Sequence, residues 1–462
     1  MNPENNTQPI EMSLVSKIVA AVQAWQQQVP VEASLAECES AAQQLALRVA
    51  QLAVSEQLAV RQAAPVSEKS LPCGCGKRQF LQRQQSRTVR TLVGPVSYVR
   101  PYYYCSACGV GRAPFDQALG QDAREVTAGV VRLVAEFGAH VSFATTARLL
   151  EKANPVLLLS ARQVETIAEA VGDQAAAAEQ AAVRQAAHTP LAQAPHPHLR
   201  LVGAPRPEPR TWIIEMDGVH APLRDGTWQE VKCGLVYRHD QRIEISKDRG
   251  VLLQKLRCAV RGGVAEFRAQ LWTQVIAAGA SESDQLVVLG DGAAWIDETV
   301  AELFPRARRI LDFFHVAEHL WEVAHARFGE GAKAAKTWMT AKLEQLKQGG
   351  WAQVCRALNQ LRLTGAAAQK RDETVSYLRR HRTQLAYDQY RAEGLPIGSG
   401  AIEGTCKHLV ASRCKQAGMR WSPAGLDAVL ALRCRVLNEQ LDSLLPPPIL
   451  KFAWDGASDL QL

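Results

Sequence analysis

Apolar residues return at three- and four-residue intervals through "SLAECESAAQQLALRVAQLAVSEQLAVRQAA", so the first sixty-odd residues read as amphipathic helix. "APVSEKSLPCGCGKR" breaks that period. In "RTVRTLVGPVSYVRPYYYCSACG" the pattern becomes β-rich, and Gly94-Pro95 marks a hairpin turn. From about Asp116 to Ala187 the helical period returns. Within it, "SFATTARLLEKANPVLLLSARQVETIAEAVGD" reads as two helices broken near Asn154-Pro155, with Ser160 capping the second. This pair fits either a helix-turn-helix or an ordinary helical hairpin. Pro190, Pro195, Pro197, Pro205, Pro207 and Pro209 then exclude regular structure, and the stretch reads as a linker.

Beyond the linker the texture is α/β. "TWIIEMDGVHAPL", "WQEVKCGLVYRHD" and "QRIEISKDRG" read as three strands, "AEFRAQLWTQVIAAGA" as a helix, and "QLVVLGDGAAW" as a fourth strand. "RRILDFFHVAEHLWEVAHARFG" is a fifth strand running into a long helix. Residues 329–390 are charged and helical, and "IEGTCKHLVASRCKQ" and "PAGLDAVLALRCRVLNEQL" close the chain as helices. This is the element order of a ribonuclease-H-like fold with an all-helical insertion. The expected organisation is a helical region over 1–68, a zinc-ribbon-like β-rich module over 69–115 and a helical, DNA-binding region over 116–187. A Pro-rich linker over 188–210, the α/β catalytic domain over 211–445 and a tail over 446–462 follow.

A chain of 462 residues, 47% hydrophobic and 21% charged, has room for several ordinary globular domains. No apolar run approaches the roughly 18 to 20 residues that span a bilayer, which predicts no membrane association. "MNPENNTQPIEMSLVSKIVAAVQAWQQQ" lacks a secretory pattern, so the expected compartment is the cytoplasm. Lysine and arginine exceed aspartate and glutamate by 53 to 46, a net charge of +7 that permits nucleic-acid binding. Eleven cysteines in a cytosolic chain argue against a disulfide framework.

Four of them have metal-ligand spacing. Cys73 and Cys75 in "CGC" and Cys105 and Cys108 in "CSAC" flank a β-rich stretch, which suits a structural Zn²⁺ held by four thiolates, although the first pair is C-x-C where C-x₂-C is usual. Cys38, Cys233, Cys258, Cys355, Cys406, Cys414 and Cys434 lie on apolar or helical ground and read as buried thiols. The same β-rich stretch carries Lys77, Arg78, Arg83, Arg87, Arg90 and Arg100 among aromatics. It is either a DNA-end reader or a solvated arginine-rich sheet surface.

Asp217 in "EMDGVH" and Asp291 in "LGDGAA" follow apolar strand runs, and Glu403 sits between glycines in "GSGAIEG" before a basic helix. Carboxylates at strand ends project from rigid elements, and oxygen ligands suit two Mg²⁺ or Mn²⁺ ions. In that arrangement Asp217 bridges, Asp291 and Glu403 flank, and Lys407, His408, Arg413, Lys415 and Arg420 grip the adjoining DNA backbone. Taken singly, each Asp-Gly is more readily a turn, and it is the three acids together that favour a metal site. Trp295 and Trp421 read either as stacking platforms for bases or as core aromatics.

Together, "EMDG", "LGDGAAW", "DFFHVAEHL" and "GSGAIEG...GMRW" resemble the blocks of bacterial DDE transposases, specifically the ISKra-type insertion-sequence family of the Mutator-like group, over about residues 70–440. The resemblance implies a catalytic triad of Asp217, Asp291 and Glu403. It also implies that Asp312 and His315 match the group's acidic-x-x-His signature, with His315 serving the scissile phosphate or the attacking water. The expected activity is metal-dependent cleavage of transposon-end DNA and 3′-OH strand transfer into target DNA, by a homo-oligomer whose N-terminal helices are candidates for its interface. Alternatives are a ribonuclease-H-like nuclease without strand transfer and a catalytically silent, zinc-containing DNA-binding protein. A glycoside hydrolase, which needs sugar platforms and no basic clusters, fits less well.

Overall fold

The computed structural model describes residues 8–62, 68–187, 189, 191, 210–246 and 249–447; the Pro-rich linker reading and most of the C-terminal tail lie outside them. The chain divides into two compact units, Met1–Ala168 with Leu445–Leu462, and Glu169–Leu444.

The first unit opens on two helices, α1 (Gln8–Gln28) and α2 (Leu35–Gln62). Ser34 and Glu37 form a reciprocal capping box at the start of α2: the Ser34 amide donates to the Glu37 carboxylate at 2.8 Å, and the Glu37 amide donates back to Oγ at 3.4 Å. Four antiparallel strands follow in the order β1 (Ser70–Pro72), β2 (Arg78–Thr91), β3 (Gly94–Tyr104) and β4 (Gly111–Arg112). The β2–β3 turn is Leu92–Val93, so Gly94-Pro95, expected as the turn, opens β3 instead; Thr91 Oγ1 donates to the Gly94 carbonyl at 2.7 Å and accepts from the Val93 amide at 3.1 Å. Then come α3 (Pro114–Ala118), α4 (Ala128–His140), α5 (Phe143–Ala153) and α6 (Ala161–Ala186), the last of which contains the boundary between the units. Ser160 caps α6 as expected, accepting from the Gln163 amide at 3.2 Å. The α5–α6 connection, Asn154–Ser160, is longer than the roughly three- or four-residue turn of a helix-turn-helix, which favours the hairpin reading.

The second unit is a mixed five-stranded sheet with helices. Its strands are β5 (Thr211–Pro222), β6 (Trp228–Arg238), β9 (Leu256–Arg261), β10 (Gln285–Gly290) and β11 (Arg308–Leu311), in the spatial order β11-β10-β5-β6-β9. β5, β10 and β11 pair in parallel, while β6 and β9 are antiparallel to their neighbours. One expectation needs correction here. The segment read as the third strand forms a separate two-stranded ribbon, β7 (Arg242–Ser246) with β8 (Arg249–Leu252), and the sheet's third strand is "LRCAVR" instead. The alternation of Ile243 and Ile245 suggested a half-buried strand, yet both side chains are exposed.

α7 (Val264–Ala278) lays Phe267, Leu271 and Val275 against Ile214 and Met216 of β5 and Val288 of β10, forming the core of this unit. β5 is buried without interruption from Trp212 to Met216, as a strand covered on both faces should be. α8 (Ala294–Leu303) and α9 (Phe313–Phe328) follow β10 and β11. The stretch read as a helical insertion contains α10 (Lys333–Lys347), α11 (Trp351–Asn359), α12 (Gly365–Arg380) and α13 (Tyr387–Ala392). α14 (Gly400–Thr405), a π-helical turn (Cys406–Ala411), α15 (Ser412–Cys414), α16 (Pro423–Leu437) and α17 (Leu441–Leu444) complete the described fold. Among the described residues, no helix is long and apolar enough to cross a membrane.

Candidate active site and thiolate cluster

Strand register brings two of the expected acids together. β10 pairs with β5 so that Leu289 lies opposite Glu215, and Asp291 and Asp217 each come two residues later; Asp291 follows the end of β10, whereas Asp217, expected at a strand end, lies within β5, which continues to Pro222 along β6. Each carboxylate is half-buried and oriented by a local backbone donor: Asp217 Oδ1 accepts from the Gly218 amide at 2.7 Å, and Asp291 Oδ1 from the Ala293 amide at 2.9 Å.

Burial raises the Asp217 carboxyl above the usual aspartate range, and the negative charges of Asp291 and Glu403 raise it further, against the Gly218 amide and the Cys406 thiol. Asp217 therefore feels both other members of the expected triad. Glu403 is exposed on α14, with Ser399 Oγ 3.4 Å from its Oε1. Among the described residues, the four cysteines are the group of three or more ligands whose atoms all lie within 4.8 Å of one another; the three carboxylates stand farther apart than that.

Two buried acids hold the start of α14, and one of them was missed in the sequence. Asp312 caps α9 by accepting from the Phe314 amide at 3.0 Å, and its other oxygen accepts from Ser399 Oγ at 2.7 Å. Glu215 is fully buried on β5, accepting from the Tyr237 hydroxyl at 2.7 Å and from the Ile402 amide at 2.9 Å. Burial pushes its carboxyl up to about 7 against those two donors. A lone glutamate inside the apolar run "WIIEM" was the available signal. The π-helical turn begins three residues after Glu403, an irregularity frequent at functional sites.

Beside Asp291 lies a ring cluster that the spacing of single motifs does not reveal. The Tyr377 hydroxyl donates to the Asp291 carbonyl at 2.7 Å, and its ring stands 4.6 Å from that of His319 and 4.9 Å from that of His381. His315 packs edge-on against His319 at 4.9 Å, and its Nδ1 is 3.4 Å from Glu318. Burial lowers His319 below the ordinary imidazole range, helped by the neighbouring His315 and Lys370.

Three expected DNA contacts point inward instead. Arg87 pairs with Asp116 at 2.6 Å and donates to the carbonyls of Asp122 and Arg124, so it braces the first unit. Arg413 has 0% exposure, with its guanidinium 5.0 Å from the Trp421 ring. Trp421 is buried and donates from Nε1 to the Cys414 carbonyl at 3.0 Å. The two arginines were read from clusters of basic residues, and the tryptophan as either a stacking platform or a core aromatic; residue type alone does not show which way a side chain points. Arg78, Arg83, Lys407, Lys415 and Arg420 are exposed. Trp295 packs edge-on against Phe267 at 5.4 Å at the border of the core. The glycine frame is also used differently: a Cβ at Gly398 would lie 2.4 Å from the Phe314 ring, whereas Gly400 and Gly404 face open space.

In the first unit, Cys73 and Cys75 lie between β1 and β2, and Cys105 and Cys108 between β3 and β4. Sγ–Sγ distances are 3.6 Å for Cys73–Cys108 and 3.7 Å for Cys75–Cys105. Four thiolates about 2.3 Å from a shared tetrahedral ion stand about 3.8 Å apart, whereas a disulfide needs about 2.05 Å. The spacing fits a structural metal such as zinc.

Fold and sites thus define a two-unit α/β protein with an acidic sheet end and a four-cysteine cluster that could bind a metal. The chain belongs to the uncharacterised protein family UPF0236, whose sequence model matches residues 75–441. No curated protein matches it.

Proposed function

We propose that the protein is a DDE-type transposase of the ISKra type, built on a ribonuclease-H-like domain. The observation that carries this reading is the alignment, in register, of Asp217 on β5 with Asp291 just past the end of the adjacent parallel strand β10, with the charge of Glu403 acting on Asp217. The strand order β11-β10-β5-β6-β9 supports the fold assignment, and the family is associated with transposase-like proteins of insertion sequences. Asp217, Asp291 and Glu403 would hold Mg²⁺ or Mn²⁺, since mutually repelling carboxylate oxygens are a donor set suited to a hard dication. Bound there, such ions supply nucleophile activation and charge neutralisation for in-line displacement.

In the first step a water oxygen attacks the phosphorus at the element's end. The P–O3′ bond breaks, and the leaving oxygen takes up a proton to give a free 3′-hydroxyl. In the second step that hydroxyl attacks a target phosphodiester, forming a new P–O bond as the target's own 3′ oxygen leaves, so the number of phosphodiesters is unchanged. The exposed cations Lys407, Lys415 and Arg420 would contact the DNA backbone, and Zn²⁺ is the ion the four thiolates suit.

Duplex DNA carrying the native element's end should be cut only with Mg²⁺ or Mn²⁺ present. Asp217→Asn should lower the rate by about 10³-fold or more while duplex binding is retained. Metal-dependent cutting without joining would indicate the nuclease, and specific binding with no chemistry would indicate the silent binder.

A further inference from the structure

Glu215 has no role in the chemistry described above, yet it is the buried acid nearest to it along the chain, two residues before Asp217 on β5. A leucine would fill the same volume without the desolvation cost of a carboxyl. What a leucine lacks is an acceptor. The Ile402 amide lies in the first turn of α14 and is shared between two acceptors, the Ser399 carbonyl at 3.0 Å and Glu215 Oε2 at 2.9 Å. Ile402 immediately precedes Glu403. A six-residue helix has little stability of its own, so its orientation depends on what its ends are tied to.

We propose that Glu215 is a positioning residue for Glu403, clamping the first turn of α14 to the strand that carries Asp217. The inference rests on the reading of Asp217, Asp291 and Glu403 as a metal-binding set. Tyr237 holds the other oxygen of Glu215 at 2.7 Å and so fixes the carboxyl plane. Asp312 secures the preceding residue through Ser399 Oγ at 2.7 Å. The backbone beneath Glu403 is thus tied from two sides, while the Glu403 side chain itself remains exposed.

The test uses the full chain and two readouts: hydrogen exchange at the Ile402 amide, and the Mn²⁺ concentration giving half of the maximal thermal shift. In the wild type, Ile402 should be as protected as the interior amides of β5. Exchange at the rate of a fraying helix end would overturn the proposal with no variant needed. Glu215→Leu keeps the volume and removes both acceptors, so exchange at Ile402 should accelerate tenfold or more and the Mn²⁺ half-point should rise about tenfold. Tyr237→Phe removes a buried hydrogen bond of the same carboxyl but keeps the Ile402 contact. It should lower the melting temperature while leaving both readouts near wild type. A folded Glu215→Leu with both readouts unchanged, or a Tyr237→Phe that moves both equally, would overturn the proposal. A wild type that binds no Mn²⁺ would remove the metal-site reading, and the exchange data would still decide whether Glu215 clamps α14.

Discussion

A carboxyl drawn out of water is the sharpest feature at the level of single residues. Half-buried Glu179 on α6 shows its consequence. Burial pushes its carboxyl from 4.5 up to about 7, opposed by the charge of Arg435. Because the folded value exceeds the unfolded one, the stability it contributes is complete below about pH 4.5 and is lost as pH rises through about 7. Glu179→Gln should flatten that slope and be more stable than wild type at pH 8 by about 2 kcal/mol in urea unfolding. A variant whose pH profile parallels the wild type would contradict the assignment. Asp217, Asp291 and Glu403 stood out in the sequence because each follows a change of texture, an apolar run or a glycine pair, although the run before Asp217 does not end its strand, which continues to Pro222. Glu215 was not, since its partners Tyr237 and Ile402 come from distant segments that only the folded sheet brings together. Arg87 and Arg413 were misread for a related reason, as a cation's sequence position does not show which way it points.

Between elements, close backbone approach sets the tolerances. α6 meets α16 where a Cβ on Gly172 would lie 2.1 Å from the Ala428 carbonyl oxygen, a contact that no rotamer change relieves. Gly172→Ala should therefore destabilise the second unit by about 3 kcal/mol, read as a fall in melting temperature, and a neutral result would show that the two helices part easily. The strand ends of the first unit depend on the cysteine cluster. One metal ion per chain is expected by elemental analysis, and Cys105→Ser should lower the melting temperature by about 5 °C or more; a metal-free wild type with unchanged stability would contradict this. Helices with a clear period, such as α2, α6 and α9, were legible from the chain. The strand β9 was hidden because arginines border its three buried residues, Cys258, Ala259 and Val260, while the more regular alternation of β7 lies outside the sheet. Alternation reports a strand, and only pairing assigns it to a sheet.

At the scale of the whole molecule, the four clustered cysteines fall in the first compact unit and Asp217, Asp291 and Glu403 in the second. The family model, running from Cys75 to Leu441, covers all of these residues except Cys73. Exposed cations occur in each unit, Arg78 and Arg83 in the first and Lys407, Lys415 and Arg420 in the second. The central claim is that the acidic sheet end joins DNA strands. The most direct measurement is strand transfer on a duplex carrying the native element's end, with Mg²⁺ or Mn²⁺, comparing the wild type with Glu403→Gln. Joined product from the wild type, lost in a variant that still binds the duplex, is the predicted result. Equal joining by both proteins, or none by a wild type that binds DNA and metal, would contradict it.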